Sequence, residues 1–256
     1  MFVFPMVGLS RRFTQAGYDR PKYELEAHGR PLFDFAVGGF AALFGAEDFL
    51  FVVRGEEAGR FARARCAALG MDPSRLAIVP LDAPTSGQAE TVAMGLEQAT
   101  APPTGPLTIF NIDTMRPGFR YPDAAITQGT DGYLEVFRGP GDHWSFVEPS
   151  IDGSRVARVT EKDRISDLCS TGLYHFARTS DFQDAYAEVA DVPPETLQGG
   201  ERYVAPLYNR LIARGAKIAY HVIGEDDVHF FGTPTEYDAF RTRDDAEVLR
   251  AGIAAP

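Results

Sequence analysis

A short N-terminal stretch places small and cationic residues directly after an apolar run. Residues 2–7 are apolar, Gly8 follows them, and Arg11, Arg12 and Lys22 come soon afterwards. A glycine directly after a strand lets the backbone approach a ligand, and three nearby cations suit a polyphosphate. The stretch contains neither a G-x-G-x-x-G sequence nor a Walker P-loop, which excludes the common dinucleotide-binding and kinase readings. The alternative interpretation is a solvated basic turn.

The segment 85–91 places small and amide side chains at an expected strand-to-helix junction. Gly87 and Gln88 lie in its middle, where the first turn of the helix is expected. Backbone N–H groups at a helix N-terminus can bind an anion, and an amide side chain can hydrogen-bond a nucleobase. An ordinary helix cap, with Glu90 completing a capping box, is the alternative interpretation.

An aspartate follows another apolar run. Residues 107–110 are mainly apolar, and Asn111, Ile112 and Asp113 come directly after them. Ligands of open α/β sheets bind at the carboxyl ends of parallel strands, so Asp113 stands in a favourable place. Carboxylate oxygen is also a suitable ligand for Mg²⁺. A simple Asn/Asp turn remains the alternative interpretation.

The second half of the chain carries a charged pair and a Thr-Gly step. Glu161 and Lys162 come at the end of one expected strand, and Thr171 and Gly172 at the beginning of another. Together they could hold a polar substrate. A surface ion pair and a hairpin are the alternative interpretation.

Apolar runs alternate with helical periodicity in the first half. The expected strands there are residues 2–7, 49–53, 76–80 and 107–110. The expected helices are residues 31–44, 56–69 and 86–98. This alternation indicates parallel β-α-β units with helices on both faces of a sheet.

Short strands dominate the next part of the chain. They are expected at residues 133–137, 145–147, 156–159, 172–176 and 217–222. Helices are expected at 179–189, at 203–214 and from about 234 onwards. A nucleotide-type first half joined to a mixed-sheet second half therefore accounts for the pattern.

The composition narrows the function classes. The chain has 256 residues, of which 45% are hydrophobic. Its net charge is −11, and this negative charge disfavours a surface that binds nucleic acid or an anionic membrane. Its two cysteines form no C-x-x-C, and such a chain suits a reduced compartment. The apolar N-terminus is too short for a signal peptide or a membrane span. We therefore expect a cytoplasmic enzyme with no membrane partner.

In their collinear order, these motifs resemble those of the sugar-1-phosphate nucleotidyltransferases. Residues 5–13, with Lys22 after Pro21, look like the family's G-x-G-x-R-[FL] … P-K signature. Residues 111–113 look like its metal-binding aspartate motif. Its sugar-phosphate elements are similar to residues 161–162 and 171–174, and its late G-T-P turn to residues 232–234. The resemblance covers about residues 1–241.

The resemblance implies a fold and an activity. The fold would be α/β, a Rossmann-like three-layer α/β/α mixed sheet of the nucleotide-diphospho-sugar transferase type. One domain, 1–256, would comprise a nucleotide-binding half, 1–130, and an acceptor-binding half, 131–256. The enzyme would transfer NMP from an NTP to a sugar 1-phosphate or a similar small phosphorylated acceptor, such as phosphocholine. It would release pyrophosphate, and its other product would be a precursor for cell-surface polysaccharide synthesis.

The resemblance also implies roles on the nucleotide side. Arg12, together with Arg11, would hold the leaving β- and γ-phosphates, and Lys22 would neutralise the α-phosphate. Asp113 would bind Mg²⁺ between the phosphates. The residues that would contact the base are Gly8, Leu9, Gly87 and Gln88.

On the acceptor side, the resemblance implies that Lys162 holds the acceptor phosphate. Glu161, Thr171 and Gly172 would contact the polar body of the acceptor.

Two departures from the family pattern leave alternatives open. Ser10 stands where the family has its second glycine, and Phe230 stands where it has a second metal aspartate. Asp226 and Asp227 lie close enough in sequence for one of them to substitute. A glycosyltransferase of the same fold and a non-catalytic nucleotide-binding regulator are the other readings. The base, the acceptor and the oligomeric state, a homo-oligomer included, stay open.

Overall fold

The structure, a computed structural model, describes residues 1–99 and 104–244. Its strands are β1 (Phe2–Met6), β2 (Glu26–Ala27), β3 (Arg30–Pro31), β4 (Phe49–Arg54), β5 (Leu76–Leu81), β6 (Leu107–Phe110), β7 (Thr114–Met115), β8 (Gly132–Arg138), β9 (Ser145–Pro149), β10 (Val156–Glu161), β11 (Leu168–Phe176), β12 (Ile218–Val222) and β13 (His229–Phe230). Its α-helices are α1 (Arg11–Gln15), α2 (Leu32–Gly38), α3 (Gly55–Ala68), α4 (Gln88–Gln98), α5 (Ala124–Thr127), α6 (Thr179–Ala187), α7 (Tyr208–Ala213) and α8 (Pro234–Arg241). The 3-10 helices are Lys22–Glu24, Ala41–Leu43, Pro73–Arg75, Pro194–Thr196, Gln198–Gly200, Ala205–Leu207 and Glu225–Asp227.

One nine-stranded mixed sheet runs through both halves of the chain. Its main path is β10-β9-β11-β6-β1-β4-β5, and β8 pairs with both β11 and β12. The pairs β1–β4, β1–β6 and β4–β5 are parallel, whereas β11 is antiparallel to β6, β8 and β9. The parallel first half and the mixed second half are thus confirmed, and β11 is the strand that joins them.

Each face of the sheet packs against its own core. In β1, Phe2 and Phe4 belong to an aromatic core, while Val3 between them belongs to an aliphatic one. Successive side chains of a strand point to opposite faces, so a parallel strand buried on both sides reads as a continuous apolar run. Helices α2 and α3 cover the aromatic face, and α4, α6 and α7 cover the aliphatic face. The expected three-layer α/β/α arrangement is therefore confirmed.

Two of the expected helices differ from the observed ones. The stretch 31–44 is broken after α2, because the Gly39 carbonyl accepts a hydrogen bond from the Phe119 N–H at 3.0 Å and Phe40 leaves helical angles, with φ −101° and ψ 12°. The stretch 203–214 begins as a 3-10 turn, and only Tyr208–Ala213 is α-helical. The β2–β3 hairpin and the β7–β13 ladder were not predicted, since two-residue strands carry no readable periodicity.

None of the helices in residues 1–99 and 104–244 combines the length and the apolar character needed to cross a membrane.

Two helical glycines pack against the sheet at different distances. A Cβ on Gly95 of α4 would lie 2.2 Å from Val52 Cγ2, so the helix sits directly on β4. A Cβ on Gly59 of α3 would lie 3.6 Å from Ile78 Cγ2, which is ordinary van der Waals contact. The space available to a methyl group therefore distinguishes the two positions.

We expect Gly95→Ala to lower the free energy of unfolding by about 1–3 kcal/mol, because the methyl group overpacks the interface with β4. Gly59→Ala should raise that free energy by about 0.5–1 kcal/mol, because alanine favours the helix and the space is available. Urea denaturation of both variants measures the difference. Equal effects at the two positions would contradict the packing described here.

Candidate active site

A cavity of about 670 Å³ opens beside the carboxyl ends of β1 and β6. All of the site residues that the sequence predicts lie on its lining: Gly8, Leu9, Arg11, Arg12, Lys22, Gly87, Gln88, Asp113, Glu161, Lys162, Thr171 and Gly172. The structure thus brings residues from both halves of the chain into one cleft. Its volume is in the range of a small-ligand site.

The loop after β1 has an unusual backbone at its tip. Ser10 adopts left-handed angles, φ 49° and ψ 35°, immediately before α1. Its hydroxyl accepts a hydrogen bond from the Lys22 backbone N–H at 3.4 Å, which ties the two ends of the loop together. In the part of the chain that the structure describes, no atom would lie within 4 Å of a Cβ on Gly8, so this side of the backbone is open to a ligand.

An ion pair joins this loop to the end of β6. Lys22 Nζ lies 2.5 Å from Asp113 Oδ2, and the two side chains are 22% and 23% exposed. Lys22 begins a 3-10 turn after Pro21, and Asp113 accepts a backbone hydrogen bond from Phe231 at 3.1 Å. The pair therefore places one cation and one carboxylate at the same point of the cleft.

Two exposed arginines stand at the beginning of α1. Arg11 and Arg12 both line the cavity and are both exposed. Within residues 1–99 and 104–244, neither guanidinium has a hydrogen-bonding or ion-pair partner. Lysine is rarer than arginine in this chain, yet two of its three lysines, Lys22 and Lys162, line the same cavity. The lining therefore carries four cations, Arg11, Arg12, Lys22 and Lys162, and four carboxylates, Asp113, Glu161, Glu201 and Glu236, and its formal charge is balanced in a chain whose net charge is −11.

The segment before α4 forms the adjoining wall. Gly87 has a φ of +150°, and a Cβ there would lie 2.5 Å from the Arg202 backbone nitrogen, so only glycine fits. Gln88 begins the helix and donates from Nε2 to Asn111 Oδ1. The Glu90 carboxylate accepts a hydrogen bond from the Ser86 hydroxyl at 2.7 Å, but the N-cap residue is Gly87 and no side chain in the described part of the protein caps the helix, so the expected capping box does not form.

The charged pair at the end of β10 forms the opposite part of the cleft. Glu161 is buried, and its Oε2 accepts a hydrogen bond of 2.5 Å from the Ser145 hydroxyl. Burial raises the pKa of Glu161 above its ordinary value, against the opposing effects of Ser145 and Lys162. Lys162 has a φ of 55°, and its Nζ donates to the Tyr203 hydroxyl at 2.5 Å.

Thr171 and Gly172 of β11 also line the cleft. The Thr171 hydroxyl is occupied, since it donates to the buried Glu135 backbone and carboxylate oxygens at 3.3 Å. Gly172 has a φ of +88°, and a Cβ there would lie 2.5 Å from Asn111 Nδ2. This glycine therefore allows β11 to approach the end of β6.

Comparison with known proteins identifies the family. No family model and no curated protein matches the chain. A crystal structure of a nucleoside-diphosphate-sugar pyrophosphorylase from Vibrio cholerae matches it with a TM-score of 0.88 and 48% identity, over 95% of this chain and 100% of that one. The chain belongs to the sugar-phosphate nucleotidyltransferase family.

A more distant nucleotidyltransferase has the same fold. The inositol-1-phosphate CTP transferase from T. maritima matches with a TM-score of 0.71 and 13% identity, over 99% of this chain and 97% of that one. The mixed sheet that carries the cleft is thus the fold of the nucleotidyltransferases.

This nucleotidyltransferase departs from the resembled motif at Phe230. Phe230 lines the cavity and packs on Trp144, with ring centres 4.5 Å apart. Neither Asp226 nor Asp227 is on the lining, and the Asp227 carboxylate accepts from the Gly224 backbone instead. The sequence leaves open whether one of these aspartates replaces the second metal ligand, and in the structure neither of them lines the cavity. Among residues 1–99 and 104–244, no cluster of three or more His, Cys, Asp or Glu could hold a metal by itself.

Among the lining residues that were not predicted as site residues are Trp144, Glu201, Tyr203 and Glu236. Trp144 is the one tryptophan of the chain and directly precedes β9, a signal that could have been used. The other three reach the cleft through tertiary contacts that sequence spacing does not reveal.

Ser10 offers a test of the loop geometry. Ser10→Gly should change the free energy of unfolding by less than about 1 kcal/mol, because relief of the left-handed strain offsets the added freedom of the unfolded chain. Ser10→Val should lower it by about 1–3 kcal/mol, because a β-branched residue is poorly accommodated there. Urea denaturation compares the two, and equal stability of both variants would exclude the left-handed backbone.

Proposed function

We propose that the protein transfers an NMP group from an NTP to a sugar 1-phosphate or similar small phosphorylated acceptor and releases pyrophosphate. Residues 1–130 hold the nucleotide and residues 131–256 hold the acceptor. The observation that carries the proposal is the single cleft lined by Arg11, Arg12 and Lys22 from one half and by Glu161 and Lys162 from the other. The name of the Vibrio cholerae relative supports the same class of reaction.

The proposed reaction needs positioning and charge neutralisation more than covalent catalysis. An acceptor phosphate oxygen attacks the α-phosphorus, and the bond from that phosphorus to the bridging oxygen of the leaving pyrophosphate breaks. Arg11 and Arg12, which have no protein partner in the described residues, neutralise the departing β- and γ-phosphates. Lys22 neutralises the α-phosphate, and Lys162 holds the acceptor phosphate.

The cleft fits Mg²⁺ through one carboxylate. Mg²⁺ is commonly held by one or two carboxylates together with substrate phosphates. Asp113 supplies one carboxylate, and Gly232 leaves it uncovered, since a Cβ at Gly232 would lie 2.7 Å from Asp113 Oδ2. Bound there, Mg²⁺ would neutralise phosphate charge. Asp113 would then exchange its contact with Lys22 for the metal, which frees Lys22 for the α-phosphate.

The aromatic pair Trp144–Phe230 provides an argument about the identity of the acceptor. Lys162 donates its backbone N–H to the Trp144 carbonyl at 2.8 Å, so the rings stand beside the proposed acceptor subsite. Aromatic faces bind quaternary ammonium groups, which favours phosphocholine as a second candidate beside the sugar 1-phosphates. A role of the protein in polysaccharide synthesis and its location in the cytoplasm stay predictions from the sequence.

A screen for pyrophosphate release tests the function. Each of the four NTPs is mixed with hexose 1-phosphates and with phosphocholine, and a parallel set contains nucleotide sugars with sugar acceptors. We expect pyrophosphate only when an NTP and a phosphorylated acceptor are both present. Release of a nucleoside diphosphate from a nucleotide sugar would instead support the glycosyltransferase reading. NTP binding without any turnover would support the non-catalytic one.

We expect activity to require Mg²⁺ through Asp113. Chelation by EDTA and the Asp113→Asn substitution should each abolish pyrophosphate release and weaken NTP binding measured with Mg²⁺ present. Asp227→Asn is the matched control, because that carboxylate is off the cavity lining. NTP binding and turnover that persist unchanged in EDTA would rule out the metal role.

Lys22→Ala should lower kcat by roughly 10²–10³-fold with a much smaller rise in the KM for NTP, because Lys22 acts on charge that develops at the α-phosphate. Lys22→Arg should restore part of kcat, since the charge remains but the planar group is larger. Lys217→Ala, which removes an exposed lysine off the cavity lining, should leave both constants unchanged. Steady-state kinetics of these variants measures both constants. A wild-type kcat in Lys22→Ala would contradict the catalytic role of Lys22.

A further inference from the structure

Arg202 is a buried cation that lies outside the lining of the cleft. It is 8% exposed, and its guanidinium donates to three backbone carbonyls, those of Val189 at 3.2 Å, Ala190 at 2.7 Å and Val192 at 2.9 Å. A buried charge is tolerated when it is hydrogen-bonded in this way. These contacts fix Arg202 to the segment that follows α6.

The backbone of Arg202 also holds the nucleotide side of the cleft. Its N–H donates to the Ser86 carbonyl at 2.9 Å, and its carbonyl accepts from the Ala89 N–H at 2.8 Å. Between these two bonds lies Gly87, whose missing side chain permits the close approach. The guanidinium also donates to the Ser86 hydroxyl and lies 3.6 Å from the Glu90 carboxylate. Arg202 therefore holds residues 86–89, the segment at the beginning of α4, in place.

The next residue in the chain belongs to the acceptor side. Tyr203 accepts the 2.5 Å hydrogen bond from Lys162 Nζ, and that ammonium lies 4.6 Å from the centre of the Tyr203 ring. A Cβ on Gly199 would lie 2.8 Å from the Tyr203 ring and 3.0 Å from Glu161 Cγ, so the loop packs tightly here. Arg202, which holds the nucleotide-side segment, and Tyr203, which contacts Lys162, are therefore adjacent in the chain.

We propose that Arg202 is a positioning residue that couples the nucleotide and acceptor subsites. An NTP that fixes residues 86–88 also fixes the Arg202 backbone, and with it Tyr203 and the Lys162 ammonium. Each substrate then binds more tightly when the other is present, by the same factor in both directions. This inference rests on the proposed function, because it takes the two sides of the cleft as subsites of two substrates.

The coupling is measured by calorimetry on the full chain. The pyrophosphate screen first selects the active NTP and acceptor. The Kd of that acceptor is then determined alone and with a saturating α,β-methylene analogue of the same NTP, which binds but cannot transfer. We expect the analogue to lower the acceptor Kd at least about fivefold in the wild type, as typical coupling energies give.

Three variants separate coupling from a merely structural role. Arg202→Lys keeps the charge but cannot satisfy the same set of acceptors, and Tyr203→Phe removes the hydroxyl that Lys162 contacts. In both, the ratio of the two Kd values should fall to within about twofold of unity. Arg65→Lys is the control, because Arg65 pairs with the buried Asp34 between α2 and α3, away from the cleft. It should lower the melting temperature and leave the ratio at its wild-type value.

The outcomes distinguish this inference from the proposed function. If Arg202→Lys fails to fold, Tyr203→Phe decides alone. An active wild type whose ratio is near unity contradicts the coupling and leaves the transferase function intact. A wild-type ratio retained in Tyr203→Phe contradicts it as well. A wild type that releases no pyrophosphate with any pair contradicts the proposed function, and the coupling with it.

Discussion

The parallel pairing of β1 and β6 is the constraint on which the arrangement of the cleft depends, and an ion pair between Lys22 and Asp113 links the segments that follow these two strands. The pair is partly exposed, so its direct contribution to stability is small, about 0–1 kcal/mol. Its importance is geometric, because it ties the loop after β1 to the end of β6. These two strands are parallel neighbours, and their carboxyl ends therefore open at the same edge of the sheet.

The acceptor side reaches that edge through β11. This strand runs antiparallel to β6 and brings Gly172 against Asn111, the residue that follows β6. Strand β9, which directly follows Trp144, pairs with both β11 and β10, and β10 ends at Glu161. One strand thus connects a parallel nucleotide-type sheet to the strands that carry the acceptor residues. Continuity of the sheet, more than any single side chain, explains why two distant parts of the sequence share a cleft.

Strand-end residues could be predicted from the sequence because periodicity and apolar runs locate strands, and parallel strands share a carboxyl edge. That logic points to Gly8 and Asp113, and both residues line the cavity. It could not show that the Thr171 hydroxyl is occupied by Glu135, or that Asp227 turns back to cap its own segment. Those outcomes depend on packing between segments far apart in sequence.

The central claim is that an acceptor phosphate oxygen attacks the α-phosphorus of an NTP in this cleft. The most direct measurement uses an acceptor whose three non-bridging phosphate oxygens are ¹⁸O and follows the products by mass spectrometry. Our account predicts that all of the label stays in the diphosphate product and that the pyrophosphate is unlabelled. Label in the pyrophosphate, or a product that has lost the acceptor's phosphate oxygens, would contradict it.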